Sequence, residues 1–302
     1  MIISKCPLRI SLAGGSTDLQ IYLDKYKTGS VITFTPNIYT YISLKPSSSK
    51  YYRIIYSSID NCLKPEEIKN DIAREVISYF NLPPIEVIFT SDIASTGSGL
   101  ASSSSYLISM INAALRYINN KLTATEIAKI ALEIERKFNP LTGYQDIYGC
   151  LYSGFKRLDF DKNGLTNITY YESDLFDAYN FYLIPTSITR SSTNILTTLD
   201  IDKIIDLMDP LRTMDSCIKI KDYNGICDQI NTGWELKKLT SQHMMDSKIV
   251  DLEKKLDTKT VAKRLIGAGA GGYFLALTQP TQVLKHNSIP IKLGTGYKTI
   301  EF

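Results

Sequence analysis

The 302-residue chain has two histidines, one tryptophan and five cysteines. His243 and His286 are far apart in sequence, and Cys6, Cys62, Cys150, Cys217 and Cys227 are scattered, with no C-x-x-C pair. That spacing argues against a structural zinc site, which needs closely grouped nitrogen and sulfur ligands. Long apolar runs are also missing: the longest nearly apolar stretch, Ile266 to Leu277, is rich in glycine and too short to span a bilayer. The opening residues, Met-Ile-Ile-Ser-Lys-Cys-Pro-Leu-Arg, are too soon charged for a secretory signal. With 34 basic and 31 acidic residues the net charge is only +3, too small to argue for nucleic acid, though compatible with an anionic substrate. These absences predict a reduced, soluble, cytoplasmic protein with neither a nucleic-acid nor a membrane partner.

Periodicity gives a mixed α+β pattern. Ile2 to Leu12 reads as one strand, with Pro7 placing it at an edge or a bulge. Tyr39 to Leu44, Tyr51 to Tyr56 and Ile85 to Phe89 read as strands, and Pro65 to Phe80 as a helix with Ile68, Ile72, Val76 and Tyr79 on one face. A helical pattern through Leu107, Met110, Ile111, Ala114 and Leu115 follows a glycine/serine loop. Thr123 and Glu126 form a capping box before a helix that ends near Phe138. Beyond Gly154 come strands over 155–160 and 181–185, then helices from about Thr193 to Met208, Leu211 to Trp234 and Ser247 to Leu265. There is no internal repeat. Two lobes, 1–175 and 176–302, are expected.

Two glycine clusters stand out. The first, Gly97-Ser98-Gly99-Leu100-Ala101-Ser102-Ser103-Ser104, runs into a helix N-terminus, where unpaired amides and the helix dipole favour phosphate. It is not a Walker A loop, because no Gly-Lys-Ser/Thr follows; a flexible loop with a serine cap is the plainer reading. The second, Gly267 to Gly272, matches G-x-G-x-x-G. With a helix expected before it and a strand after it, the order is wrong for a dinucleotide fingerprint. Tight backbone packing and close approach to a ligand both explain such glycines.

Three segments together resemble the GHMP kinase superfamily: Cys6-Pro7-Leu8-Arg9-Ile10-Ser11-Leu12-Ala13-Gly14-Gly15-Ser16-Thr17-Asp18, the phosphate loop Ala94 to Ser104, and Gly267 to Gly272. Within it, the sugar-1-kinase branch that contains heptose 7-phosphate kinases is the nearest likeness, with Gly143-Tyr144-Gln145-Asp146 and Thr189-Arg190-Ser191-Ser192 fitting as well. The resemblance implies a two-lobe fold, the N-terminal lobe similar to ribosomal protein S5 domain 2 and the C-terminal lobe ferredoxin-like. It implies ATP and Mg²⁺, and transfer of the γ-phosphate to a sugar hydroxyl. Ala101 stands where a third loop glycine is usual, a tolerable change if its φ is negative.

Carried over residue by residue, the resemblance makes Asp146 the base and Arg9 the cation beside it. Gly97 to Ser104 hold the ATP phosphates, and Ser103 and Glu135 hold Mg²⁺. Gly14, Gly15, Ser16, Thr17 and Asp18 face the sugar, with Gly269, Gly271 and Arg190 as further substrate contacts, Arg190 for a remote phosphate. Read alone, Glu135 and Arg190 suit solvated surface charges, Asp146 a helix-start residue and Arg9 a strand-end salt bridge. Other open readings are a kinase for a fucose-like sugar or non-sugar alcohol, and a nucleotide-binding sensor without turnover. A sensor has no need of the four residues Arg9, Ser103, Glu135 and Asp146 together.

Overall fold

The computed structural model describes residues 1–94, 97–188, 198–242, 244–267, 269–284 and 287–302. Three sheets organise it. The first has the order β14-β1-β4-β7-β5-β6, built from β1 (Ile2–Pro7), β4 (Tyr39–Pro46), β5 (Tyr52–Ile55), β6 (Ile59–Cys62), β7 (Ile85–Ser91) and β14 (Lys298–Glu301). Its pairings are antiparallel except β5 with β7. The second is β2-β3-β8-β9, from β2 (Ile10–Ala13), β3 (Thr28–Phe34), β8 (Phe155–Asp161) and β9 (Gly164–Tyr170). The third is β11-β12-β10-β13, from β10 (Asn180–Pro185), β11 (Ala262–Leu265), β12 (Tyr273–Thr278) and β13 (Ile289–Ile291).

Helix α1 (Gln20–Tyr26) links β2 to β3, and α2 (Asp71–Tyr79) links β6 to β7. Helix α3 (Ser102–Tyr117) is buried nearly all round, as suits the centre of a core. It packs on β1 and β4 and is flanked by α2, α4 (Ala124–Phe138) and α5 (Gln145–Leu151). The core there includes Ile42, Val76, Val87, Leu107, Ile111 and Ile134. A second core lies where sheets two and three meet α8 (Met208–Lys219) and α9 (Tyr223–Lys238), around Leu12, Phe34, Phe181, Leu211 and Leu275. Short helices α6 (Leu175–Ala178) and α7 (Ile201–Ile204) and the longer α10 (Ser247–Asp257) complete the set among the described residues.

Several expected elements divide where local chemistry stops them. The first strand splits after Pro7: β1 joins sheet one and β2 joins sheet two, so Arg9 lies at the crossing, its N–H on the Leu100 carbonyl at 3.2 Å. The helix expected over 65–80 becomes a 3₁₀ turn at Pro65–Glu67 and then α2, because the Asn70 side chain caps a new start on Ala73 N–H. The helix expected over 211–234 breaks at Lys221, whose φ is 58°, and Asp222 caps α9 through Gly225 N–H. The one expected to reach Leu265 ends at Asp257, since 262–265 pair with β12. A strand therefore precedes the second glycine cluster. The element after the cluster is β12 rather than a helix, so the dinucleotide fingerprint still fails.

Candidate active site

Arg9 joins two parts of the molecule. It is buried, and its Nε and Nη2 donate to Asp146 Oδ1 at 2.9 and 2.7 Å while Nη1 donates to the Gly99 carbonyl at 2.8 Å. Burial alone would lower the guanidinium pKa; the Asp146 carboxylate outweighs it and the pKa is raised. Asp146 sits in the first turn of α5 and stays partly exposed, and its Oδ2 accepts nothing among the described residues. Gly149, one turn on, packs against the Arg9 stem: an added Cβ would stand 3.1 Å from Arg9 Cγ.

The phosphate loop has Gly97, Gly99 and Ala101 at φ 66°, 75° and 63°. Ala101 is the N-cap of α3 and gives no side-chain cap. By contrast α4, α9 and α10 are capped by Thr123, Asp222 and Asp246. The first-turn amides of α3 are thus left for a ligand, which suits phosphate. The expectation of a negative φ at Ala101 is corrected: the residue is left-handed, a conformation costing an alanine roughly 1–2 kcal/mol. Ala101→Gly should therefore raise stability, by about 0.5–1 kcal/mol after glycine's own entropic cost. Denaturant titration checks this, and an unchanged or lower midpoint would contradict it.

Glu135, on α4, is buried beneath this helix start. Its Oε1 and Oε2 accept from Ser104 Oγ at 2.9 and 2.8 Å, and the nearby Ser103 hydroxyl also favours its charged form. Burial, and next the Asp146 charge, raise its pKa to about 8. A buried carboxylate held by hydroxyls, with no salt bridge among the described residues, fits a cation such as Mg²⁺.

Asp18 is fully buried. Its Oδ2 accepts Gln145 N–H at 2.9 Å, while Oδ1 has no partner among the described residues. Burial, partly offset by the Gln145 amide, raises its pKa to about 6. Gly143 leaves room for it, since a Cβ there would collide with Oδ2. In the turn before Asp18, Thr17 Oγ1 lies 2.8 Å from the Gly14 and Ser30 carbonyls. Gly14 and Ser16 have φ 76° and 77°.

These two carboxyls set a pH dependence. Their folded pKa values, about 6 and about 8, exceed the ordinary 3.8 and 4.5, so between those limits the folded state binds more protons than the unfolded. These two groups contribute stability that is lost as pH rises through that window, and below pH 7 the buried Lys156, its pKa lowered to about 7, does not yet offset the loss. Melts at pH 5 and 6.5 should give the lower Tm at 6.5, with a smaller difference in Glu135→Gln. A wild-type Tm that climbs over this range would refute the burial argument.

The structure brings together Arg9, Gly99, Asp146, Glu135, Ser103 and Asp18, which are spread over the sequence from residue 9 to residue 146. Of the second cluster, Gly272 backs onto the phosphate loop, Gly269 onto Met244 and Gly271 onto Ile188. Arg190 lies outside the described residues. Ser104, expected only at the ATP phosphates, turns its hydroxyl to Glu135. Sequence reasoning missed Gln145 as a site residue: its amide holds Asp18 and its Oε1 accepts from Ser11 Oγ at 2.8 Å. The helical spacing of the serine run could have hinted at the Ser104 contact; Gln145 is visible only as part of the Gly143-Tyr144-Gln145-Asp146 motif, with no role of its own.

Residues 67–154 match the model described as "GHMP kinases N terminal domain". The chain is 28% identical, over 98% of its length and 94% of the relative's, to D-glycero-alpha-D-manno-heptose 7-phosphate kinase of Campylobacter jejuni. Among solved structures, a D-glycero-D-manno-heptose 1-phosphate kinase from Bacteroides thetaiotaomicron superposes with a TM-score of 0.80 at 21% identity, covering 100% of this chain and 99% of that one. Lactococcus lactis galactokinase gives 0.74 at 14% identity, covering 98% and 95%. The α+β fold is that of the GHMP kinases of known structure, residues 67–154 match that family's N-terminal domain, and these similarities support an ATP-dependent sugar kinase.

Proposed function

We propose that this kinase phosphorylates the anomeric hydroxyl of a sugar phosphate, D-glycero-D-manno-heptose 7-phosphate, giving the 1,7-bisphosphate and ADP. The observation that carries the chemistry is the bridge from Arg9 to both Asp146 Oδ1 and the Gly99 carbonyl, which ties the base to the phosphate loop. Asp146 Oδ2 takes the proton of the acceptor hydroxyl, whose oxygen bonds to the γ-phosphorus as the bond to the ADP oxygen breaks. Arg9 shares the charge that builds on the transferred group, and the α3 amides hold the remaining phosphates.

Asp18 Oδ1, buried and unpartnered among the described residues, takes a sugar hydroxyl as its missing donor. Ser103 and Glu135 are the residues to hold Mg²⁺, which when bound neutralises phosphate charge. The acceptor is argued from the 28% identical relative, which is named for the heptose phosphate. The sequence pattern offers Arg190 as one contact of the remote phosphate, and we assign the site to the meeting of lobes 1–175 and 176–302.

ADP release over a panel of hexoses, heptoses and their phosphates tests the reading, with the heptose 7-phosphate expected to give the highest kcat/KM. Equal use of sugars with and without phosphate would overturn the acceptor. Ser103→Ala and Glu135→Gln should each raise the Mg²⁺ concentration for half-maximal rate. Wild-type Mg²⁺ dependence in both would mean the metal binds elsewhere.

A further inference from the structure

Two buried cations approach the Gly14-Gly15 turn from elements far along the chain. Lys237, in the last turn of α9, is 3% exposed and its Nζ donates to the Gly267 carbonyl at 2.6 Å. That nitrogen lies 3.5 Å from where a Cβ would stand on Gly15. Apart from Gly15's chain neighbours, no other atom of the described residues comes within 4 Å of that point. Among the described residues the absent side chain therefore leaves an opening with an ammonium on its border.

Arg264, on β11, is equally buried. Its Nη1 donates to the Leu12 carbonyl, on the strand that runs into the same turn. Its Nε has no hydrogen-bond partner, and no carboxylate pairs with it, among the described residues. Burial, and then the nearby charge of Arg9, lower its pKa to about 10. A buried guanidinium with an unmet donor is costly unless an anion completes it. Most buried arginines in proteins are paired, so this one marks a place where negative charge is missing.

The turn these cations flank leads within three residues to Asp18. ATP's phosphates already have the uncapped amides of α3. We propose that Lys237 and Arg264 form an anion subsite for the acceptor's own phosphate, Lys237 touching it across Gly15 and Arg264 supplying charge and its open N–H from behind. This rests on the reading of the acceptor as a sugar phosphate.

Lys237→Met and Gly15→Ala test it. The first removes the charge while keeping the stem; the second places a methyl group in the opening. Gly15 does not have a positive φ, so alanine fits its backbone. For each variant, kcat/KM is measured with heptose 7-phosphate and with the unphosphorylated heptose, alongside KM for ATP. The ratio of the two kcat/KM values should fall about 10- to 100-fold, the worth of one charge-assisted hydrogen bond. Lys237→Arg should restore much of it.

Equal loss with both acceptors, or a raised KM for ATP as the main effect, would assign the cations to ATP or to folding and overturn the subsite. If Lys237→Met does not fold, Gly15→Ala decides by the same ratio. A wild type that prefers the phosphorylated acceptor, with variants that keep the preference, overturns this subsite alone. A wild type without preference overturns the acceptor reading and the subsite with it.

Discussion

Asp146→Asn should lower kcat by roughly 10²–10⁴, the usual contribution of a positioned base, and should leave KM for ATP nearly unchanged. Asparagine has the same shape and can keep an oxygen toward Arg9, so the contacts at 2.9 and 2.7 Å have an acceptor in the variant. The other terminal atom is the one that changes, from the carboxylate Oδ2 to an amide that cannot take a proton. The Arg9 bond to the Gly99 carbonyl does not pass through residue 146, so the phosphate loop keeps its anchor. Asp146→Ala would be a poorer test, because it strands a buried guanidinium and invites a folding defect. Single-turnover measurements at saturating ATP separate the two roles open to Asp146. A rate near wild type would mean that the proton leaves without it and that the carboxylate only orients Arg9.

How much of this site is legible in sequence depends on how local each signal is. The phosphate loop announces itself because glycines and serines before an apolar helix can do little else than turn and leave amides open. Arg9 and Asp146 are 137 positions apart and pair in sequence only by resemblance; nothing in either neighbourhood encodes the partner. The split of the first strand is half visible. Pro7 signals a disturbance, but the assignment of Ile2–Pro7 and Ile10–Ala13 to different sheets depends on partners Tyr39–Pro46 and Thr28–Phe34. The side chain of Ala101 argues for a negative φ, yet the helix start it joins demands the left-handed conformation, and tertiary packing prevails over an alanine's preference. Lys237 and Arg264 are invisible in sequence for a related reason. A lysine near a helix end and an arginine in a short strand look like solvated charges until the fold buries them.

Gly272→Ala should cost more than its size suggests, with kcat/KM for ATP falling about 100-fold or more, the scale of a displacement of about 1 Å at a catalytic site. The residue has φ +87°, which alanine adopts only with strain. The added methyl would collide with the Ser98 carbonyl oxygen and stand 2.8 Å from its carbon and 3.1 Å from the Gly97 oxygen. These are backbone atoms of the phosphate loop, so no side-chain rotation can relieve the clash. Nor can position 272 retreat easily. Its N–H donates to the Ile188 carbonyl at 3.1 Å, and its own carbonyl accepts from Thr186 N–H and Thr186 Oγ1, both at 2.9 Å. The next residue, Tyr273, is already in register with Pro185 in sheet three. The loop is the softer partner and should yield, carrying the Gly97–Ala101 amides out of line with the phosphates. Gly269→Ala is the comparison: its φ of +106° brings backbone strain as well, but there the methyl meets the sulfur of Met244, a flexible side chain that can turn away. Its KM for ATP should change far less than that of Gly272→Ala, in parallel assays with thermal melts to confirm folding. Equal losses in the two variants would mean that the second glycine cluster acts as a unit on its ligand, and that the backbone contact with Ser98 is incidental.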